Sequence, residues 1–137
     1  QPIFMKKGIL LLLVSVSFWQ CSKEATGDTN IPADVTILSQ GIFSPAAHNT
    51  SGVVKLASDA QGKKYLLFEN FMTDSGPDVR IWIARDKTAQ DYTELSKTVP
   101  TGNFKIDVPA SADTNKHSYV LIWCKQFTVL FGSAQLK

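Results

Sequence analysis

Apolar and polar residues alternate along short stretches of the chain. The period of two at 79–84 and 104–108 is typical of half-buried β-strands. The run at 118–124 is almost wholly apolar, which is typical of a strand covered on both faces. Further strands are predicted at 52–57, 64–71 and 128–136, with glycine and proline between them. The weak apolar pattern at 87–97 predicts a loop or a single turn. The pattern therefore predicts an all-β fold, either an antiparallel β-sandwich or an open barrel, of about seven to nine short strands.

The N-terminal segment reads as a secretory signal. A basic start, Met5–Lys7, precedes a short apolar run that is broken too soon for a membrane span. Residues 1–20 are therefore predicted to be a signal peptide, with 1–4 as extra upstream residues. A buried core helix is the alternative.

A cysteine follows the apolar run directly. Cys21, with small and charged residues after it, resembles a bacterial lipoprotein processing site, although Gln20 stands where a small residue is usual. Turn-forming residues then predict that 21–37 comprises a lipidated cysteine and a flexible tether, followed by a folded domain at 38–137. Lipid at Cys21 would anchor the protein to the membrane of a bacterial cell envelope, on the periplasmic or the surface side. The alternative is an ordinary secreted protein that is cleaved elsewhere.

Length and charge exclude several classes of protein. A chain of 137 residues has the length of one domain and is too short for a barrel enzyme. With 44% apolar and 19% charged residues, it is too apolar to be disordered. Loss of Lys6 and Lys7 with the signal would leave 12 basic residues against 12 acidic ones. This balance does not favour a nucleic-acid partner. The sequence also has no nucleophile elbow, phosphate loop or HExxH helix.

The second cysteine, Cys124, has no partner if Cys21 is lipidated, and a Cys21–Cys124 disulfide is the alternative. Cys124 is either a buried small hydrophobe or a redox thiol or ligand. The two histidines, His48 and His117, lack zinc-ligand spacing, and solvated polar roles are expected for them. A pairing of His48 with Cys124 in space stays open. The aspartates of loop 74–78 predict a turn rather than a calcium site.

Four segments resemble the DM-thirteen domain, an electron-transfer domain found beside DOMON domains in animal Skeletor-type proteins. They are 48–56, 65–71, 76–83 and 120–136, and the resemblance covers 41–137. The Gly-Pro-Asp turn that begins at Gly76, and the motif Cys-x-x-Phe-x-Val-x-Phe-Gly-x-Ala-x-Leu that begins at Cys124, are its most specific parts. One departure is the segment 94–103, where the family pattern has a glycine-rich turn.

The resemblance implies a β-sandwich with a characteristic cysteine, here Cys124. It implies redox chemistry through the bare thiol or through a bound group such as haem, and His48 lies on the family's His-x-x-x-Gly segment. The expected function is an electron-transfer or thiol-redox module on an exported lipoprotein, with a redox protein as partner. Cys124 would be the redox or ligand atom, and His48 its helper. The alternative is a structural or interaction module in which Cys124 is core packing and loop 74–78 binds the partner.

Overall fold

Two antiparallel sheets pack against each other in the computed structural model, which describes residues 33–137. The strands, in chain order, are β1 (Thr36–Ile42), β2 (Ser44–Pro45), β3 (Thr50–Ser58), β4 (Lys64–Thr73), β5 (Val79–Ala84), β6 (Tyr92–Ser96), β7 (Gly102–Val108), β8 (Tyr119–Cys124) and β9 (Val129–Gln135). The four-stranded sheet has the order β1-β3-β4-β7, and the five-stranded sheet has the order β2-β9-β8-β5-β6. Both sheets are open. The predicted all-β sandwich is therefore confirmed.

Strand β8 shows why its sequence is almost continuously apolar. Val120, Ile122 and Cys124 point inward and belong to the core between the sheets. Leu121 and Trp123 point outward, where they belong to a second apolar cluster on the outer face of the five-stranded sheet. Because successive side chains of a strand alternate between faces, a strand that is covered on both faces needs no polar positions.

Strand β6 is a difference from the sequence prediction, because it lies inside 87–97, where a loop or a single turn is predicted. It is an edge strand that pairs with β5 alone, and its residues are exposed or half-buried. An edge strand with no fully buried position does not produce the apolar alternation on which the prediction depends. Strand β1 begins at Thr36, within the last two residues of the segment predicted to be the tether.

The predicted signal peptide at 1–20, the predicted lipidation site Cys21 and the tether up to residue 32 lie outside the described residues. Within 33–137, no helix is long and apolar enough to cross a membrane.

Candidate functional site

Three loops meet at one end of the sandwich. They are 46–49 between β2 and β3, 74–78 between β4 and β5, and the turn 125–128 between β8 and β9, and we call this region the site end. Asp74 N donates to Asn49 O at 3.1 Å, and Asn49 N donates to Asp74 Oδ2 at 3.0 Å. Lys125 N donates to Asp78 O at 2.9 Å. Loops that are far apart in sequence are thus joined by backbone hydrogen bonds.

His48 lies on the ring of Phe131, with 3.9 Å between the two ring centroids. Its backbone N donates to Phe131 O at 3.3 Å. Its Nδ1 lies 3.4 Å from Asp74 Oδ2, and its side chain is 43% exposed. A carboxylate beside one ring nitrogen orients an imidazole and leaves the other nitrogen to bind a ligand or a proton. His48 is therefore held against Phe131, with Asp74 beside its Nδ1, and its side chain remains accessible to solvent.

Two loops of the site end pack on the same residue, Phe131. It is 3% exposed, and it is covered by His48 and by the loop that contains Gly76. A Cβ at Gly76 would lie 2.9 Å from Phe131 Cζ and 2.7 Å from Val79 Cγ2. Only glycine therefore lets this loop lie so close to Phe131, which explains the glycine of the Gly-Pro-Asp turn in physical terms.

Cys124 ends strand β8, opposite Val79 on one side and Val129 on the other. It is 0% exposed, and its thiol is free. It shares the core cluster with Phe131. Among the described residues, no hydrogen bond or ion pair joins it to His48. The structure thus brings the two predicted site residues to one end of the fold, His48 on the surface and Cys124 in the core.

Haem is the bound group that the resemblance suggests, and Cys124 and His48 are the residues expected to hold it. Cys124 does not fit that role as packed, because an iron atom could reach its sulfur only after core side chains move. His48 has the exposure and the carboxylate neighbour of an imidazole ligand. Within 33–137, no cluster of three or more His, Cys, Asp or Glu side chains is placed to hold a metal ion.

His117 differs from its predicted solvated role, because it is only 5% exposed. Its Nε2 lies 3.0 Å from Asp91 Oδ1, and its Nδ1 is buried with no partner in the described structure. Lys116 and then His117 hold the pKa of Asp91 below its usual value through hydrogen bonds. Asp91 lies 26 positions from His117 in sequence, so this pair could not be predicted from the spacing of nearby residues.

Fold and site together define a small β-sandwich domain with a free, buried cysteine beneath loops that carry an oriented histidine. The family model described as Electron transfer DM13 matches residues 42–136, and the chain belongs to this family. All three loops of the site end fall within the match. No curated protein and no solved structure matches the chain.

Proposed function

We propose that the domain transfers electrons through Cys124 Sγ by exchange with a disulfide of a partner protein, and that His48 takes up the thiol proton. The observation that carries the proposal is the position of Cys124, a free cysteine next to the loops that bear His48. Membership of an electron-transfer family supports the class of reaction.

Burial of Cys124 limits how the exchange can proceed. A disulfide can be attacked only by a thiolate that reaches one of its sulfur atoms. Cys124 cannot do so while the site end is closed. The loops of the site end are held partly by exposed hydrogen bonds, such as that from Asn49 N to Asp74 Oδ2. Segments of this kind open locally at lower cost than the whole fold. Exchange therefore follows opening of the site end.

The exchange takes place in two stages, one with each partner. Cys124 Sγ attacks the disulfide of a first partner, a new S–S bond forms, and the partner's other sulfur leaves as a thiolate. The thiol proton of Cys124 passes to the imidazole of His48. One thiol of a dithiol in a second partner then attacks Cys124 Sγ, which forms a new mixed disulfide and releases the first partner as its second thiolate. The other thiol of the second partner breaks this mixed disulfide, closes to a disulfide and releases Cys124 as a thiolate. Cys124 takes its proton back from His48, and the two thiolates of the first partner take up the two protons of the dithiol. Two electrons thereby pass from the second partner to the first, and Cys124 is regenerated.

Thiol labelling tests this proposal. The full chain carries Cys21→Ser, so that Cys124 is the one thiol, and it is labelled with a maleimide across a urea series. We expect an opening free energy clearly below that of global unfolding. We expect His48→Ala to lower the free energy of opening, because the cover on Phe131 is lost, and to slow the reaction of the opened thiol, because its proton acceptor is lost. The control Gln61→Ala, in the turn at the opposite end, should leave the rate unchanged.

Glutathione disulfide provides the redox readout. The mixed disulfide should form in the chain with Cys21→Ser, as measured by intact mass, and should be lost when Cys124→Ala is added. Labelling that occurs only on global unfolding, with no mixed disulfide, would overturn the proposal.

A second candidate function is an interaction module without redox activity. The observation that favours it is the complete burial of Cys124 among apolar residues, where cysteine acts as a small hydrophobe. Loop 74–78 would then belong to the binding surface. Labelling only on global unfolding is the result that this candidate predicts.

We further propose that the protein is exported and anchored by lipid at Cys21, in the bacterial cell envelope. The support is the sequence pattern of a basic start, an apolar run and Cys21. Metabolic labelling with palmitate should mark the wild-type protein in the membrane fraction. Cys21→Ala should abolish the label, whereas a labelled Cys21→Ala protein would refute the anchor.

A further inference from the structure

Three aromatic rings form a continuous stack on the outer face of the five-stranded sheet. Tyr92 stacks on Trp82, with 3.8 Å between ring centroids and 12° between planes. Trp82 in turn stacks on Trp123, at 5.2 Å and 20°. Trp82 is 4% exposed, and Tyr92 is 43% exposed. The stack therefore leads from the solvent at Tyr92, through a buried indole, to the residue that precedes Cys124.

The stack is not a platform for a flat ligand at its centre. Such a platform presents a ring face to solvent, whereas Trp82 is almost fully buried and stacks on both of its neighbours. An electron passes readily between aromatic rings that lie this close together, because electronic coupling rises as distance falls. Indole and phenol are also the aromatic side chains that lose one electron most easily. The same geometry that excludes ligand stacking therefore favours electron movement.

A proton acceptor stands beside the central ring. Trp82 Nε1 donates to Glu94 Oε2 at 3.1 Å, and Arg80 Nη1 donates to Glu94 Oε1 at 2.9 Å. Arg80 also pairs with Asp78 of the site end. An indole that has lost an electron is far more acidic at its N–H than a neutral indole, and Glu94 Oε2 already accepts this hydrogen bond, so it is in position to take the proton. A buried indole usually finds a hydrogen-bond partner, and here that partner is a carboxylate whose other oxygen is held in place by Arg80.

We propose that Tyr92, Trp82 and Trp123 form a one-electron relay, with Glu94 as the proton acceptor for Trp82. A one-electron oxidant docked at Tyr92 takes an electron from the stack, and the Nε1 proton of Trp82 moves to Glu94. A one-electron reductant at the Trp123 end returns the electron, and the proton moves back to Nε1. One electron passes from reductant to oxidant, and the chain is unchanged.

This inference rests on the electron-transfer part of the proposed function and does not involve the thiol of Cys124. The test is flash photolysis of the full chain with a ruthenium polypyridyl photosensitiser and a sacrificial electron acceptor in solution. The chain carries Trp19→Phe, which leaves Trp82 and Trp123 as its two tryptophans. Transient absorption distinguishes the neutral tryptophanyl radical, which has lost its N–H proton, from the radical cation.

We expect the neutral radical in this background and its loss in Trp82→Phe. Glu94→Gln keeps the stack but removes the base, so the radical cation should replace the neutral radical. Glu94→Gln also keeps the test decisive if Trp82→Phe fails to fold. The matched control is Tyr65→Phe on the four-stranded sheet, which should leave yield and spectrum unchanged.

Two results would overturn the relay. One is a folded Trp82→Phe chain that retains the full yield of the neutral radical. The other is a Glu94→Gln chain whose spectrum equals that of the background. Because Cys124 is intact throughout, failure of the relay is separate from failure of maleimide labelling or of the mixed disulfide at Cys124.

Discussion

Replacement of Cys124 by serine, alanine and valine tests whether the surroundings of the thiol are wholly apolar, through the free energy of unfolding of each variant. Cys124 is 0% exposed, and its thiol makes no hydrogen bond to any described residue. A serine hydroxyl at this position would be buried without a partner, at a cost of about 1–3 kcal/mol. Alanine would leave a space of about one methyl group, which costs about 1 kcal/mol. We therefore expect serine to be the less stable of the two, by about 1 kcal/mol, and valine to lie within about 1.5 kcal/mol of the wild type.

Urea unfolding monitored by tryptophan fluorescence, in the Cys21→Ser background and at constant m-value, gives these differences. In a domain of this size, 1 kcal/mol corresponds to a change in Tm of about 4–8 °C, so thermal scans provide a second readout. A serine variant as stable as the wild type, or more stable than alanine, would refute the reasoning. It would mean that the site offers Cys124 a polar partner. The expected order also makes Cys124→Ala the better functional probe, since loss of activity in Cys124→Ser could result from loss of fold.

Two further predictions concern packing and pH. Gly132→Ala would place a Cβ 2.4 Å from Thr50 Cβ, so we expect a loss of about 1–3 kcal/mol in urea unfolding; an unchanged midpoint would contradict that contact. Lys116 and His117 lower the pKa of Asp91 in the folded protein. The ionised Asp91 carboxylate therefore stabilises the fold at pH values above the usual aspartate pKa of about 3.9. This stabilisation is lost as the pH falls through the lowered pKa of the folded state. Asp91→Asn should therefore flatten the decline of unfolding free energy below about pH 4, and parallel curves for variant and wild type would show that the pair adds nothing.

The elements predicted correctly from sequence are those with a buried face. Strand β8 could be predicted because its two faces pack in the core and in the outer cluster, and both require apolar residues. Strand β6 could not, because an edge strand with half-buried residues has no clear alternation. The pairing of His48 with Asp74 depends on how two loops meet, and a linear pattern carries no information about that. Periodicity places Trp82 on the face opposite Ile81 and Ile83, but it could not show that other rings stack on it, since the stack depends on which strands pair with β5.

The direction in which the chain enters the sandwich has a consequence for approach by partners. Thr36, the first residue of β1, pairs with Ser58, whereas the loop with His48 leads into the opposite end of β3 at Thr50. An attachment before β1 therefore holds the domain by the end remote from His48. With lipid at Cys21, the roughly 15 intervening residues could extend about 50 Å, and a partner would arrive from the aqueous side rather than from within the bilayer. Immobilisation of the purified protein through its N-terminus would leave the same end free, which makes that orientation the suitable one for measurements on a surface.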